Sequence, residues 1–236
     1  MKIICMVPAR LNSKRVSRKN IRLINGKPLI GYVLETLQGC KQFDAIFVNS
    51  EAEIFGDIAK HYGVNFYKRP SALSSDTATN DQFMLDFMNN VDGDVVIQVL
   101  PTSPLVTSDE IKNFVAEMET GLHDTLISVE HKQIACLYKD REINFDKLAP
   151  NPPSQTMTPV QAYATALMGW RYDKFKEDMR RFGSGYHGGM GPTGYFELRG
   201  LSTLDIDREE DFRLVERIIL SQEIQINPAI RYYGEL

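Results

Sequence analysis

The chain opens on Lys2-Ile3-Ile4-Cys5-Met6-Val7, one cation followed by five apolar residues, and this is the first of several short apolar runs separated by amphipathic stretches. An apolar run of this length between polar flanks predicts a strand buried on both faces. Ala45–Asn49, Val64–Tyr67, Asp94–Leu100 and Asp124–Val129 read the same way. Between them, Pro28–Gln38, Glu51–Tyr62, Asn80–Asn90 and Thr107–Glu119 carry helical spacing, the last with Thr107 or Ser108 as its cap and Glu110 in its first turn. Strands alternating with helices of about ten to fifteen residues imply right-handed crossovers and a mostly parallel sheet covered on both sides. The expected fold is a three-layer α/β architecture.

The alternation breaks after Val129. Ile134–Tyr138 and Tyr163–Trp170 have strand character, but Pro150, Pro152, Pro153 and Pro159 lie between them and cannot sit inside regular elements. Residues 132–170 therefore read as an arm or subdomain that projects from the sheet for substrate binding or dimerisation, or else as a long surface loop. At 236 residues, 43% hydrophobic and 25% charged, the chain can bury a full core. One domain over residues 1–236, carrying that arm, is expected.

No run approaches the length of a membrane span, and Met1 leads into a charged residue and a strand instead of a secretory leader. No membrane contact and a cytoplasmic location are expected. Cys5, Cys40 and Cys136 are odd in number and widely spaced among apolar neighbours, which predicts reduced core thiols.

Charge changes the picture more. The chain carries a net −4, yet residues 1–34 hold Lys2, Arg10, Lys14, Arg15, Arg18, Lys19, Arg22 and Lys27 with no acidic residue, leaving about −12 on the remainder. An acidic protein lacks the broad basic face that nucleic acid needs, whereas one basic pole suggests a local anion site. Five of the cations fall within Pro8–Asn20, directly after the first strand, where ligands collect beyond the carboxyl ends of open α/β sheets. The stretch is neither G-x-x-x-x-G-K-S/T nor G-x-G-x-x-G, which disfavours a P-loop ATPase and a dinucleotide dehydrogenase.

A second constellation is Leu204-Asp205-Ile206-Asp207-Arg208-Glu209-Glu210-Asp211-Phe212. If Ser202–Asp207 is extended, a period of two puts Asp205 and Asp207 on one face, where two carboxylates can hold Mg²⁺. Asp207 can equally cap a helix over Arg208–Leu220, with Glu209, Glu210 and Asp211 at the positive end of its dipole. Both can hold at once. A cationic loop and a carboxylate pair together suggest Mg²⁺-dependent chemistry on a triphosphate.

Four blocks carry a family resemblance: Pro8-Ala9-Arg10-x-x-Ser13-Lys14-x-x-x-x-Lys19-Asn20, Arg69-Pro70-x-x-Leu73-x-Ser75-Asp76-Thr77-Ala78, Pro101-Thr102-Ser103-Pro104-Leu105 and Asp205-Ile206-Asp207-x-x-x-Asp211. In order and spacing, over nearly all of Met1–Ile219, the chain resembles the cytidylyltransferases that activate acidic sugars, above all the N-acylneuraminate cytidylyltransferases. The resemblance implies a Rossmann-like nucleotidyltransferase fold and transfer of CMP from CTP to an acidic small-molecule acceptor. It implies that Ala9, Arg10, Ser13, Lys14, Lys19 and Asn20 hold CTP, with Arg10 and Lys19 stabilising the phosphate charge that builds as pyrophosphate leaves. Arg69 and Asn80 fall where family members contact the nucleoside, although a small hydroxyl residue is usual at the latter position. Asp205 and Asp207 correspond to the Mg²⁺ carboxylates, and Asp207 is the stronger metal candidate; the general base stays open. Family members are commonly homodimers whose arm reaches toward the partner's site, so a homodimer is implied.

The acceptor side departs from the sialate pattern. Those enzymes generally place Gln before Pro-Thr-Ser-Pro, where this chain has Leu100, with Gln98 two residues earlier on the same strand face. Their Arg-Pro-Asn-Gly-Ala-like segment corresponds to Gln161–Leu167, which has no arginine and supplies Gln161, Tyr163 and Thr165 as candidates. His131 and Gln133 lie where the family often contacts substrate, and Thr102 and Ser103 of the Pro101–Leu105 block are further substrate-binding candidates. Arg181–Gly194, with six glycines, reads either as a lid with Tyr186 and His187 at its tip or as an exposed turn. The acceptor is then a sialic acid-like nonulosonic acid, 3-deoxy-octulosonate or a small phosphonate. A CTP-binding homologue without turnover and a glycosyltransferase using a nucleotide-sugar donor are the readings from other classes. The tail Asn227–Leu236 can fray or clamp the body.

Overall fold

The computed structural model describes residues 1–222; the tail 227–236 lies outside them. The first strand, β1 (Ile3–Pro8), is followed by a cation-rich loop, a two-residue ladder of β2 (Leu23–Ile24) with β3 (Lys27–Pro28), and helix α1 (Leu29–Gln38). Then come β4 (Ala45–Ser50), α2 (Ile54–His61), β5 (Asn65–Lys68), α3 (Asn80–Asn90), β6 (Val95–Val99), α4 (Ser108–Glu119) and β7 (Thr125–Lys132). The chain ends its described course with a small ladder of β8 (Leu137–Tyr138) and β9 (Arg141–Glu142), then β10 (Val160–Arg171), α5 (Tyr172–Phe182), β11 (Thr193–Glu197) and α6 (Glu209–Gln222).

Seven strands form the central sheet in the order β11-β7-β10-β6-β1-β4-β5. The pairs β1–β4, β1–β6, β4–β5 and β11–β7 are parallel. Alternation along β1 sorts its side chains between layers: Ile3, Cys5 and Val7 pack with α1, α2 and α4, whereas Ile4 and Met6 pack with α3, α5 and Trp170. A sheet buried on both faces needs continuous apolar strands, which is why the periodicity of β1 and β6 reads as a run.

Local chemistry sets the helix ends. Thr79 with Gln82 and Thr107 with Glu110 form reciprocal capping boxes at the starts of α3 and α4. Gly183, at φ 70°, ends α5 in the left-handed region that a side chain resists.

Three expectations need correction. Tyr163–Trp170 is not part of a projecting arm: β10 runs antiparallel through the middle of the sheet, with Leu167–Arg171 on β6 and Met168–Trp170 on β7. Its register on β7 shifts between Tyr163 and Met168, where Thr165 adopts φ 25°. Ser202–Asp207 is not a strand; a single 3₁₀ turn at Gly200–Thr203 leads into irregular chain. Cys5 and Cys40 are free and buried, but Cys136 is only half-buried on the segment beyond β7 and belongs to no core.

A third apolar cluster joins Val16 of the cationic loop, Ile24 and Leu29 to Ile206 and to Phe212, Val215 and Ile219 of α6. Full burial of one such side chain is worth roughly 1.5–3 kcal/mol, comparable with the backbone entropy of ordering one or two residues. Val16 thus anchors a loop whose cations would otherwise favour solvent.

Candidate active site

A cavity of about 680 Å³ opens beyond the carboxyl ends of β1 and β6, where the sheet's strand order reverses direction. Arg10, Lys14, Arg15, Lys19 and Arg69 line it, facing Asp76, Asp205 and Asp207. Five cations against three carboxylates leave it positive within an acidic chain.

The cationic loop is tied at both ends. Arg22 makes a two-pronged pair with Glu209 at 2.6 and 2.8 Å and stacks over the Phe212 ring, fixing the loop to the start of α6. Asn20 is buried and donates from Nδ2 to the Arg10 carbonyl, while its Oδ1 finds no partner among the described residues. Lys19 donates from Nζ to the Ile206 carbonyl. Burial lowers the Lys19 pKa, opposed by Asp205 and Asp207. Lys14 reaches Asp76 at 2.7 Å and Arg10 lies 3.9 Å from it; Arg15 pairs with Asp207 at 2.7 Å. These pairs are solvent-screened and weak, so an incoming polyanion can replace Asp76 as the partner of the loop.

Arg69 occupies a different position. It is 5% exposed, and its guanidinium donates to the Ala9 carbonyl at 3.0 Å, to Ser74 Oγ at 3.0 Å and to Glu51 at 3.1 Å. Glu51 in turn accepts from the Leu11 amide at 2.9 Å and from the Ser74 hydroxyl at 2.7 Å. Burial pushes the Glu51 carboxyl up, but the Leu11 amide, Ser74 and Arg69 outweigh it and hold it below the usual range. With its donors committed, Arg69 sets the position of the Ala9 backbone.

The two aspartates reach the cavity without a strand. Ile206 between them is fully buried, and its amide donates to the Thr102 carbonyl at 2.9 Å, so the flanking side chains of Asp205 and Asp207 turn to the cavity. Ser103 lies beneath, its hydroxyl 3.5 Å from Asp205. Burial raises the Asp205 pKa against the pull of Thr102 and Lys19. Asp207 does not cap α6: Asp211 reaches back and accepts from the amides of Asp207 and Arg208 at 3.0 and 2.7 Å.

Ala9, Arg10, Ser13, Lys14, Lys19, Asn20, Arg69, Asn80, Gln98, Leu100, Thr102, Asp205 and Asp207 thus share one cavity. His131, Gln133, Gln161, Tyr163, Thr165 and His187 stand outside its walls. His131 sits 3.3 Å from Glu197 and 3.1 Å from the Gln161 amide nitrogen, and Gln133 closes the base of the segment by donating to the Gln155 and Met157 carbonyls. His187 is exposed beside Tyr163. Tyr186, expected at a loop tip, is instead buried in the cavity wall against Trp170. Sequence reasoning missed Glu51 and gave Asp76, although it stands in one of the four blocks, no role; a carboxylate directly after strand β4 was the available signal for the first.

A family model described as cytidylyltransferase matches residues 4–152. The chain is 29% identical over 182 residues to the N-acylneuraminate cytidylyltransferase of Escherichia coli O18:K1:H7 (strain RS218 / NMEC), covering 75% of this chain and 39% of that protein. It is 27% identical over 230 residues to post-translational flagellin modification protein B of Campylobacter coli, covering 94% and 97%. The chain spans about two fifths of the length of the N-acylneuraminate cytidylyltransferases it matches. Among solved structures, CMP:2-keto-3-deoxy-manno-octonic acid synthetase complexed with CTP superposes with a TM-score of 0.69 at 14% identity, over 95% of this chain and all of that one, a likeness of fold. With the model covering well over half its length, this chain belongs to the cytidylyltransferase family.

Proposed function

We propose that the protein transfers CMP from CTP to an acidic sugar of the nonulosonic type and releases pyrophosphate. The observation that carries this reading is the convergence of five cations and the Asp205–Asp207 pair on one cavity at the head of β1. Family membership and the names of the relatives support it. The loop supplies Arg10, Lys14 and Lys19 to triphosphate oxygens, fixed in advance by Val16, Arg22 and Glu51, so that little reorganisation is needed as charge moves onto the leaving pyrophosphate. Ala9 presents backbone, and Asn20 and Asn80 present amides, toward the nucleoside. The sugar hydroxyl approaches the α-phosphorus from the side of Gln98, Leu100 and Thr102.

Mg²⁺ fits the donor set. Among the described residues no cluster of three or more metal-ligating side chains occurs, but two adjacent carboxylates with triphosphate oxygens and water make the all-oxygen shell that Mg²⁺ prefers. Asp205 and Asp207 would hold it, and it would neutralise phosphate charge and increase the acidity of the attacking hydroxyl. Arg15, which pairs with Asp207 at 2.7 Å, would then be free to pair with phosphate.

Beyond β7, Ile134, Leu137, Tyr138, Ile143 and Leu148 are all exposed. In this reading they pack against a second copy, giving a homodimer. Three free thiols, and no described helix long and apolar enough to cross a membrane, fit a cytoplasmic enzyme. The test is pyrophosphate release from each of the four nucleoside triphosphates with Mg²⁺, against nonulosonic acids, 3-deoxy-octulosonate and small phosphonates. CTP-dependent release with an acidic sugar is expected; CTP binding with no release from any acceptor would refute transfer.

A further inference from the structure

Gln98 is the one fully buried polar side chain among the described residues of the cavity wall. Its Nε2 donates to the Tyr186 hydroxyl at 2.8 Å, and its Oε1 has no partner among the described residues. A buried amide oxygen stripped of water is unfavourable, and it persists where a ligand brings the missing donor. The Tyr186 hydroxyl that orients the amide is itself held from several directions. Its ring lies 5.0 Å from Trp170, whose Nε1 donates to the Tyr186 carbonyl at 3.0 Å. The amides of Gly185 and Tyr186 both donate to Asp81 Oδ1, at 2.7 and 2.9 Å.

Phe83, Leu100, Thr102 and Tyr186, all uncharged, line the same cavity as Gln98; the cations sit on the loop Arg10–Lys19 and at Arg69, whose guanidinium lies 5.5 Å from the Phe83 ring centroid. Burial pushes the Tyr186 phenol up to about 12, with Gln98 acting against that shift and Asp81 with it, so the ring carries no charge at neutral pH.

We infer that Gln98 Oε1, steadied by the Tyr186 hydroxyl, forms a subsite that recognises a neutral hydrogen-bond donor on the sugar acceptor, a hydroxyl or an acylamino N–H. The inference rests on the transferase reading and specifies what the acceptor must offer. Asp81 is a positioning residue for it. Neighbouring Asn80 lines the same cavity, so the first turn of α3 ties the nucleotide wall to the acceptor wall.

The experiment compares acidic sugars that differ at one position, bearing either a hydroxyl or acylamino group or only hydrogen, by pyrophosphate release at saturating CTP. The parental protein should prefer the donor-bearing sugar by about ten- to a hundredfold in kcat/KM, as a buried acceptor left unpaired would dictate. Gln98→Met keeps the length and removes the oxygen; it should reduce the preference to less than about threefold and leave the KM for CTP unchanged. If that variant melts below the assay temperature, Tyr186→Phe carries the test, with the same loss of preference expected. Asp81→Ala should raise the KM for the sugar, and Asp81→Asn, which keeps an oxygen acceptor, should restore it. No preference in the parental protein, full preference retained in Gln98→Met, or an equal rise in its KM for CTP would each overturn the subsite. No CTP-dependent release from the parental protein with any sugar would instead overturn the transferase reading beneath it.

Discussion

Replacing Glu51 by Gln removes one charge from a pair whose side chains are 5% and 16% exposed, and it does so without changing shape. The glutamine oxygen can still accept from the Leu11 amide. What is lost is the only carboxylate among the described residues that hydrogen-bonds the buried Arg69 guanidinium. Breaking such a pair from one side costs about 3–5 kcal/mol, and the Ala9, Asn49 and Ser74 oxygens that stay on Arg69 place the effect at the lower end. About 3 kcal/mol in a chain of this size corresponds to a fall in Tm of roughly 6–12 °C. Thermal unfolding followed by circular dichroism, with and without CTP, measures it. The pH dependence gives an independent sign. Because the folded-state pKa of Glu51 lies below its ordinary value, its contribution is present above the unfolded-state pKa and disappears as pH falls through the folded one. The gap in Tm between parent and Glu51→Gln should therefore narrow as the solution is acidified below about pH 4.5. A Tm within 1 °C of the parent's at neutral pH, a shift expected from a change of only about 0.3 kcal/mol, would mean that Arg69 needs no countercharge, and the argument for a preorganised loop would fail with it.

Asp207→Ala should lower CTP-dependent pyrophosphate release by at least about a hundredfold and remove its response to added Mg²⁺; release at the parental rate would refute the metal assignment. Arg22→Ala cuts the link between the cationic loop and α6, and the KM for CTP should rise about tenfold while kcat changes less; an unchanged KM would show that Val16 alone holds the loop. Leu137→Asp places a charge on a side chain that is 61% exposed, and by sedimentation it should shift a dimer toward monomer with an unchanged Tm at low concentration; a parent that sediments as a monomer would refute the arm's proposed contact.

Elements built on a single period were legible in the sequence. The buried run of β1, the helix Asn80–Asn90 and the start of α4 depend on neighbours along the chain, and the structure has them where the pattern placed them, with Thr107 and not Ser108 as the cap. The cationic loop was legible because charge clustered after a strand has few structural reasons to exist. What was not legible depends on distant partners. Tyr163–Trp170 reads as part of an arm because prolines precede it, and only its pairing with β6 and β7 makes it central. Glu51 and Asp81 resemble ordinary surface acids until Arg69, Leu11 and the Gly185–Tyr186 amides close around them. Asp205 and Asp207 reached the same cavity by another local route: a buried Ile206 in irregular chain turned them outward, where alternation along a strand was expected.

The antiparallel strand β10 has a consequence for how this protein can be cut and made. It is late in the chain and central in the sheet, so during synthesis β6 keeps one open edge, and β7 has no partner on either side, until residue 171 has emerged. Open edges facing an absent strand are templates for pairing with other chains, and a nascent polypeptide held there is vulnerable to aggregation. The same geometry separates ancestry from autonomy. The region shared with the family model ends at residue 152, before the strand that joins β6, β1, β4 and β5 to β7 and β11. A fragment trimmed to the shared region would carry the cationic loop on a sheet that cannot close its middle.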